Sequence, residues 1–233
     1  MNLLALDTAT ESCSVALLCG ESLLERSELA PRRHAELILP MIDSLLNEAG
    51  LSRRRLDGIA VGRGPGAFTG VRLAISVAQG LALGLDIPVV PVSSLAALAQ
   101  DIPADDAMCA DSILAVIDAR MGEIYAGVFR RGTDGLVESV GAESVARASE
   151  LTLSQSTQWC IVGSGWEAYR DALSARLPGP PRWADGARYP QARAIARLAQ
   201  PQFAAGRGVS PEYALPVYLR DKVALTLQEQ RAR

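Results

Sequence analysis

The chain makes the same opening move twice. Leu3-Leu4-Ala5-Leu6-Asp7, a turn and Ser14-Val15-Ala16-Leu17-Leu18 are matched in the second half by Leu114-Ala115-Val116-Ile117-Asp118, a turn at Gly122 and Glu123-Ile124-Tyr125-Ala126-Gly127-Val128-Phe129. Each copy is an apolar strand ending in aspartate, followed by a turn and an alternating strand. A repeat on this scale predicts two related units facing one another across a cleft.

The first copy reads as strands over 3–7, 14–19 and 22–29, joined by short turns into an antiparallel meander. A helix over 35–49 stopped by Gly50, a strand over 59–62, a helix over 69–85, a strand over 89–92 and a helix over 93–100 follow. Ile102-Pro103-Ala104-Asp105-Asp106 has the composition of a linker, dividing the chain into units 1–103 and 104–233, with the last residues packing back on the first unit. The second copy continues with a strand over 136–140, a helical segment over 145–153, a strand over 159–162 and a helix over 166–176. The expected fold class is α/β, a duplicated βββαβα arrangement.

Between the strand at 59–62 and the long apolar helix lies Gly62-Arg63-Gly64-Pro65-Gly66-Ala67-Phe68-Thr69-Gly70-Val71-Arg72. Glycines allow close backbone approach, and Thr69 is placed to cap the helix that follows. Such a joint either cradles an anion at the helix start or is simply a tight turn packed beneath the helix. It is not a P-loop, because no Gly-Lys-Ser/Thr follows, nor is it a dinucleotide fingerprint.

Several chemistries are excluded by what is missing. His34 is the single histidine and precedes a helix, so it reads as a cap or surface residue, and no paired-histidine metal site or H-E-x-x-H exists. There is no Gly-x-Ser-x-Gly elbow, no Ser/His/Asp set and no Cys-His pair, which argues against a protease. Cys13, Cys19, Cys109 and Cys160 lack C-x-x-C spacing and read as reduced small hydrophobes. Lys222, the single lysine, lies near the C-terminus, away from any phosphate-binding pattern. A net charge of −3 gives no global field for nucleic acid, so RNA contact must be local or supplied by a partner. The arginine runs Arg53-Arg54-Arg55, Arg32-Arg33 and Arg130-Arg131 fall between periodic segments and read as solvated loops. The N-terminus lacks a basic leader, and the apolar run 71–85 falls short of the roughly 20 residues that a bilayer requires. The expected location is cytoplasmic, with no membrane partner.

The duplicated arrangement resembles the actin, hexokinase and sugar-kinase superfold. That resemblance implies that Asp7, Thr8 and Thr10 in one half, and Asp118 with Gly163 and Gly165 in the other, line a nucleotide cleft. The bland reading of Asp7 and Asp118 is that each caps a strand-end turn. An ATP-dependent small-molecule kinase of that superfold is the alternative function, although no general base follows the glycine-rich loop.

A set of motifs running in order narrows the resemblance. Asp7-Thr8-Ala9-Thr10-Glu11, Pro31-Arg32-Arg33-His34 with Leu39-Pro40-Met41, the stretch 62–72, Ala78-Gln79-Gly80-Leu81-Ala82, Ile117-Asp118-Ala119-Arg120-Met121-Gly122-Glu123-Ile124-Tyr125, Gly163-Ser164-Gly165-Trp166 and Pro216-Val217-Tyr218-Leu219-Arg220 together resemble the bacterial TsaB family. Its members are non-catalytic paralogues of TsaD in the glycoprotease-like branch of the superfold. The resemblance implies support of TsaD in placing threonylcarbamoyl on N6 of adenosine in tRNAs that read codons beginning with adenine. It also implies TsaE as a further partner, tRNA contact through the complex, and a homodimer when the chain is alone. ATP and a metal ion would be used by the partner subunits, with no cofactor held tightly here. In TsaD two histidines after the glycine-rich loop bind the catalytic metal. Ser94 and Leu98 take those positions here, and leucine cannot coordinate a metal. The Gly-Gly-His stretch of TsaD is likewise replaced by Asp118-Ala119-Arg120-Met121-Gly122.

The helices suggest where a partner would sit. Ile38, Met41, Ile42 and Leu45 form a helical stripe, and the helix over 69–85 carries small residues among Arg72, Ile75, Ser76, Gln79 and Leu83. Small residues let a second helix or a sheet approach closely, so either both helices simply pack on their own sheet or, as expected here, these positions form a partner interface.

Overall fold

The computed structural model describes residues 1–103, 112–153 and 158–220. The duplication is visible in the strand order. β1 (Asn2–Asp7), β2 (Ser12–Cys19) and β3 (Ser22–Leu29) form a meander, and β4 (Gly58–Gly62) and β5 (Val89–Val92) add in parallel beside β1, giving the order β3-β2-β1-β4-β5. The helices α1 (His34–Glu48) and α2 (Phe68–Leu85) make the two crossovers, and α3 (Ser94–Gln100) follows β5.

The second sheet has the same plan. β6 (Ile113–Arg120), β7 (Glu123–Arg131) and β8 (Val137–Ser139) form the meander, while β10 (Cys160–Val162) and β11 (Trp183–Asp185) run parallel on the far side of β6. Its order, β11-β10-β6-β7-β8, is that of the first sheet read from the other end. The short helices α4 (Ser164–Ala168) and α5 (Arg170–Ser174) precede β11, and α6 (Ala192–Ala204) follows it.

Strand alternation sorts the core into layers. Leu3 and Ala5 of β1 face an inner layer together with Ile113, Ala115 and Ile117 of β6, while Leu4 and Leu6 face an outer layer covered by α1 and α2. Leu114 and Val116 face a third layer under α4 and α5. The inner layer is filled by α3 and α6, so one apolar core runs across both halves. Indeed α6, from the second half, packs against β1, β2, β4 and β5 of the first.

Four local expectations are corrected. Residues 145–153 are not helical: β9 (Ser144–Arg147) pairs with β7 over Glu123–Ala126, and a single 3-10 turn, Ala148–Glu150, follows. The cause is an open edge, since β8 covers only Phe129–Arg131 of β7 and the remaining backbone groups require partners. The helix expected over 166–176 breaks at Tyr169, whose φ of −134° is not helical. Thr69 does not cap α2, which starts one residue earlier after Ala67. Cys13 and Cys19 carry free thiols, but Cys160 is disulfide-bonded, so the four cysteines are not all reduced. Cys109, Lys222 and linker residues 104–106 lie outside the described residues.

The ends of β1 and β4 meet at a fully buried carboxylate. Asp7 Oδ1 accepts the Ala9 N–H at 2.8 Å, and Oδ2 accepts the Ser94 hydroxyl at 2.8 Å. Gly62 is required beside it, because a methyl group there would collide with Oδ2. Burial raises the Asp7 pKa from 3.8 to about 6, partly opposed by its hydrogen bonds to Ala9 and Ser94. The favourable contribution of the neutral acid is complete below pH 3.8 and disappears as pH rises through about 6. Asp7→Asn removes the charge, keeps an oxygen to accept the Ala9 N–H and reverses the second bond, its amide donating to the Ser94 oxygen, so it should stabilise the chain above pH 7 by on the order of 2–3 kcal/mol. That gain should shrink towards pH 4 in thermal melts across the pH range. Gly62→Ala should cost roughly 1–3 kcal/mol in urea unfolding, as overpacking against the hydrogen-bonded Asp7 and Ser94 side chains does.

Candidate functional site

The two aspartates that the repeat places in equivalent positions have opposite environments. Asp7 is sealed, as is its neighbour Thr8, whose hydroxyl donates to the Gly70 carbonyl at 2.6 Å. Neither presents a free oxygen to a ligand. Gly163, with φ +110°, and Gly165 are packed against Val116, and a side chain at Gly163 would collide with the Val116 carbonyl and Leu98. Of the six residues expected to line a nucleotide cleft, only Thr10 and Asp118 border the cavity of ≈ 210 Å³ between the two halves.

That cavity has an apolar floor of Pro65, Phe68, Val71, Ile117 and Val217 and a charged rim. Asp118 accepts from the Arg120 N–H at 2.7 Å, from Arg120 Nη1 at 2.9 Å and from the Tyr169 hydroxyl at 3.0 Å. The break in the helix at Tyr169 is thus what brings the phenol to Asp118. Burial and the adjacent Asp118 carboxylate push the Tyr169 pKa up, so the phenol remains a donor at neutral pH. Arg120 also reaches across to Glu11 Oε1 at 2.8 Å, joining the two halves. Arg120 and Met121 have φ of 64° and 60°, and this left-handed pair turns the guanidinium towards Glu11. Glu11, Arg120 and Asp118 sum to one negative charge, and Arg220 on the same rim is paired with Glu123. A phosphate would therefore meet no uncompensated cation on this rim. Among the described residues no group of three or more His, Cys, Asp or Glu is arranged to hold a metal. The two positions compared with metal ligands are also closed: Ser94 is bonded to Asp7, and Leu98 is fully buried.

The helical positions divide sharply. Ile38, Ile42, Leu45 and Ile75 are buried in the chain's own outer core layer, so they support this fold and do not form an outward face. The regular stripe on α1 is the side that faces its own sheet. Met41 and Gln79 are half-buried, and Gln79 Nε2 donates to the Ala214 carbonyl at 3.2 Å. Arg72, Ser76 and Leu83 are exposed, Leu83 at 74%. Gly80 and Gly84 are exposed beside them, with nothing within 4 Å of the place a side chain would start. Among the described residues α2 is the one helix long and apolar enough to span a bilayer, yet it packs on the sheet through Gly70, Val71, Ala74, Ile75, Ala78 and Ala82. The sequence reading did not single out Phe68 or Leu39 as exposed apolar residues, nor Tyr218 beside α2. Only the aromatic within Pro216-Val217-Tyr218 signalled the last of these.

Comparison with known proteins places this geometry. A family model described as TsaD, tRNA N6-adenosine threonylcarbamoyltransferase, matches residues 24–226. The tRNA threonylcarbamoyladenosine biosynthesis protein TsaB of Escherichia coli is 40% identical over 227 residues, covering 96% of each chain. The protein of the same name from Haemophilus influenzae is 38% identical over 235 residues, covering 96% of this chain and 95% of the relative. The solved structure of YeaZ from Pseudomonas aeruginosa superposes with a TM-score of 0.85 at 45% identity, covering 94% of this chain and 99% of that one. With nearly its full length matched in sequence and in fold, the chain belongs to the TsaB family and is related through it to the TsaD transferases.

Proposed function

We propose that this chain is a non-catalytic subunit that docks on a TsaD transferase and supports transfer of threonylcarbamoyl to N6 of adenosine 37 in tRNAs reading codons beginning with adenine. The observation that carries this reading is the outer face of α2. An 18-residue apolar helix with six residues buried, and with open space beside Gly80 and Gly84, offers a smooth groove for another helix. Residues Arg72, Ser76 and Leu83 form the contact row, with Met41 and Gln79 at its border, and the same face would pair two copies when TsaD is absent. The interlobe cleft holds no nucleotide in this reading, because Asp7, Thr8, Gly163 and Gly165 are committed to packing. ATP and metal chemistry then belongs to TsaD and the ATPase TsaE, tRNA is met through the complex, and the assembly works in the cytoplasm.

Reconstitution tests the reading directly. With TsaD, TsaE, ATP and tRNA present, adding this chain should raise formation of the modified nucleoside, measured by mass spectrometry, and shift TsaD to a larger complex. Ser76→Arg should cut both by about tenfold or more, as loss of a central contact does. Unchanged co-elution of Ser76→Arg with TsaD would defeat the docking reading. Gly80→Ala separates folding from docking: the free chain should gain up to about 1 kcal/mol, as an exposed helix-interior glycine allows, while the complex weakens.

A further inference from the structure

A second set of contacts leads away from α2 into the interlobe cleft. After a 3-10 turn at Pro211–Tyr213, residues 214–220 run without helix or strand as a strap across the cleft mouth. Near its start the Ala214 carbonyl accepts from Gln79 of α2, and midway the Val217 N–H donates to the Arg63 carbonyl at 3.0 Å. Next, the Tyr218 ring lies 5.9 Å from the Phe68 ring, with the Arg72 guanidinium 3.2 Å from the Phe68 centroid and 5.1 Å from that of Tyr218. At its far end Arg220 Nη2 donates to the Ala119 carbonyl at 3.0 Å and pairs with Glu123, both in the β6–β7 hairpin. One seven-residue segment is therefore pinned to the docking helix at one end and to the second half's hairpin at the other.

We propose that this strap relays docking at α2 to the β6–β7 hairpin, a regulatory role that rests on the docking reading above. Phe68 and Tyr218 are each 48% exposed and stand at the N-terminal end of the exposed face of α2. A partner covering Arg72 also covers the two tilted rings, and removing water from a cation–aromatic contact strengthens it. The seated strap is then favoured over a lifted one, and Arg220 is held against Ala119 and Glu123. Coupling of this kind is reciprocal, so weakening the far anchor must weaken docking.

The experiment measures TsaD affinity by calorimetry, and amide exchange of residues 118–123 with and without TsaD, using the full chain. Exchange there should slow on docking. Arg220→Ala should remove the slowing and reduce affinity by about fivefold, within the usual range of site-to-site coupling, although Arg220 lies in the cleft and not on the docking face. Tyr218→Ala should do the same, whereas Tyr218→Phe, which keeps the ring, should behave as the unaltered chain. Combining Tyr218→Ala with Arg220→Ala should add little further loss of affinity, because either change cuts the same relay. Exchange at 118–123 that is indifferent to TsaD, or fully additive losses in the double variant, would overturn the relay. Neither result touches the docking reading, which stands or falls on Ser76→Arg in the same calorimetry.

Discussion

A carboxylate taken out of water must have its oxygens bonded or give up its charge, and Asp7 does some of each. Its two oxygens collect the Ala9 amide and the Ser94 hydroxyl, and its bulk fills the space that Gly62 leaves. In this way the end of β1, the end of β4 and the start of α3 are fixed to one another. The glycine-rich joint at 62–72 leaves β4 from that anchor. Of the two readings that the sequence left open for the joint, the packed turn matches what its residues do: Gly66 and Gly70 lie directly against the backbone of Ala9 and Thr8.

The duplicated half answers the same demand differently. Asp118 ends an equivalent strand but remains at the edge of water, where Arg120 and Tyr169 serve its oxygens. Because Arg120 also holds Glu11, the rim of the cleft is an intramolecular ion-pair chain with its valences filled. Exposed pairs like these contribute at most about 1 kcal/mol each, so they shape the rim more than they stabilise the fold. Much of the buried apolar surface lies in the inner layer, where α6 packs on the first sheet, α3 on the second, and the two helices on each other. That shared layer also explains why the chain behaves as two copies of a motif with one core between them.

With Asp7, Thr8, Gly163 and Gly165 committed to packing, the outside of α2 is a surface left uncovered. Its inward side, Val71, Ala74, Ile75, Ala78 and Ala82, is complete, whereas its outward side joins exposed glycines to a largely bare Leu83. The strap at 214–220 ties that outer face to the rim chain through Tyr218 and Arg220. Surface and cleft are thereby parts of one mechanical path.

Much of this was legible in the sequence, because strands and helices are written in local periodicity. The repeat at Asp7 and Asp118, the meanders and the long helices follow from patterns of two and of three to four residues. The motif series also carried the family, which the comparisons bear out. What periodicity does not contain is which neighbour fills a given face. The stripe of Ile38, Ile42 and Leu45 looks the same whether it meets its own sheet or another protein, and only the packed chain assigns it to the interior. The strand at Ser144–Arg147 formed because β7 had an open edge, a fact about residues twenty positions away in the chain. Likewise Asp7 and Asp118 are equal in sequence, and burial alone made one a sealed anchor and the other a wet rim. Local pattern determined the elements, and long-range contact decided which of their surfaces remained for a partner.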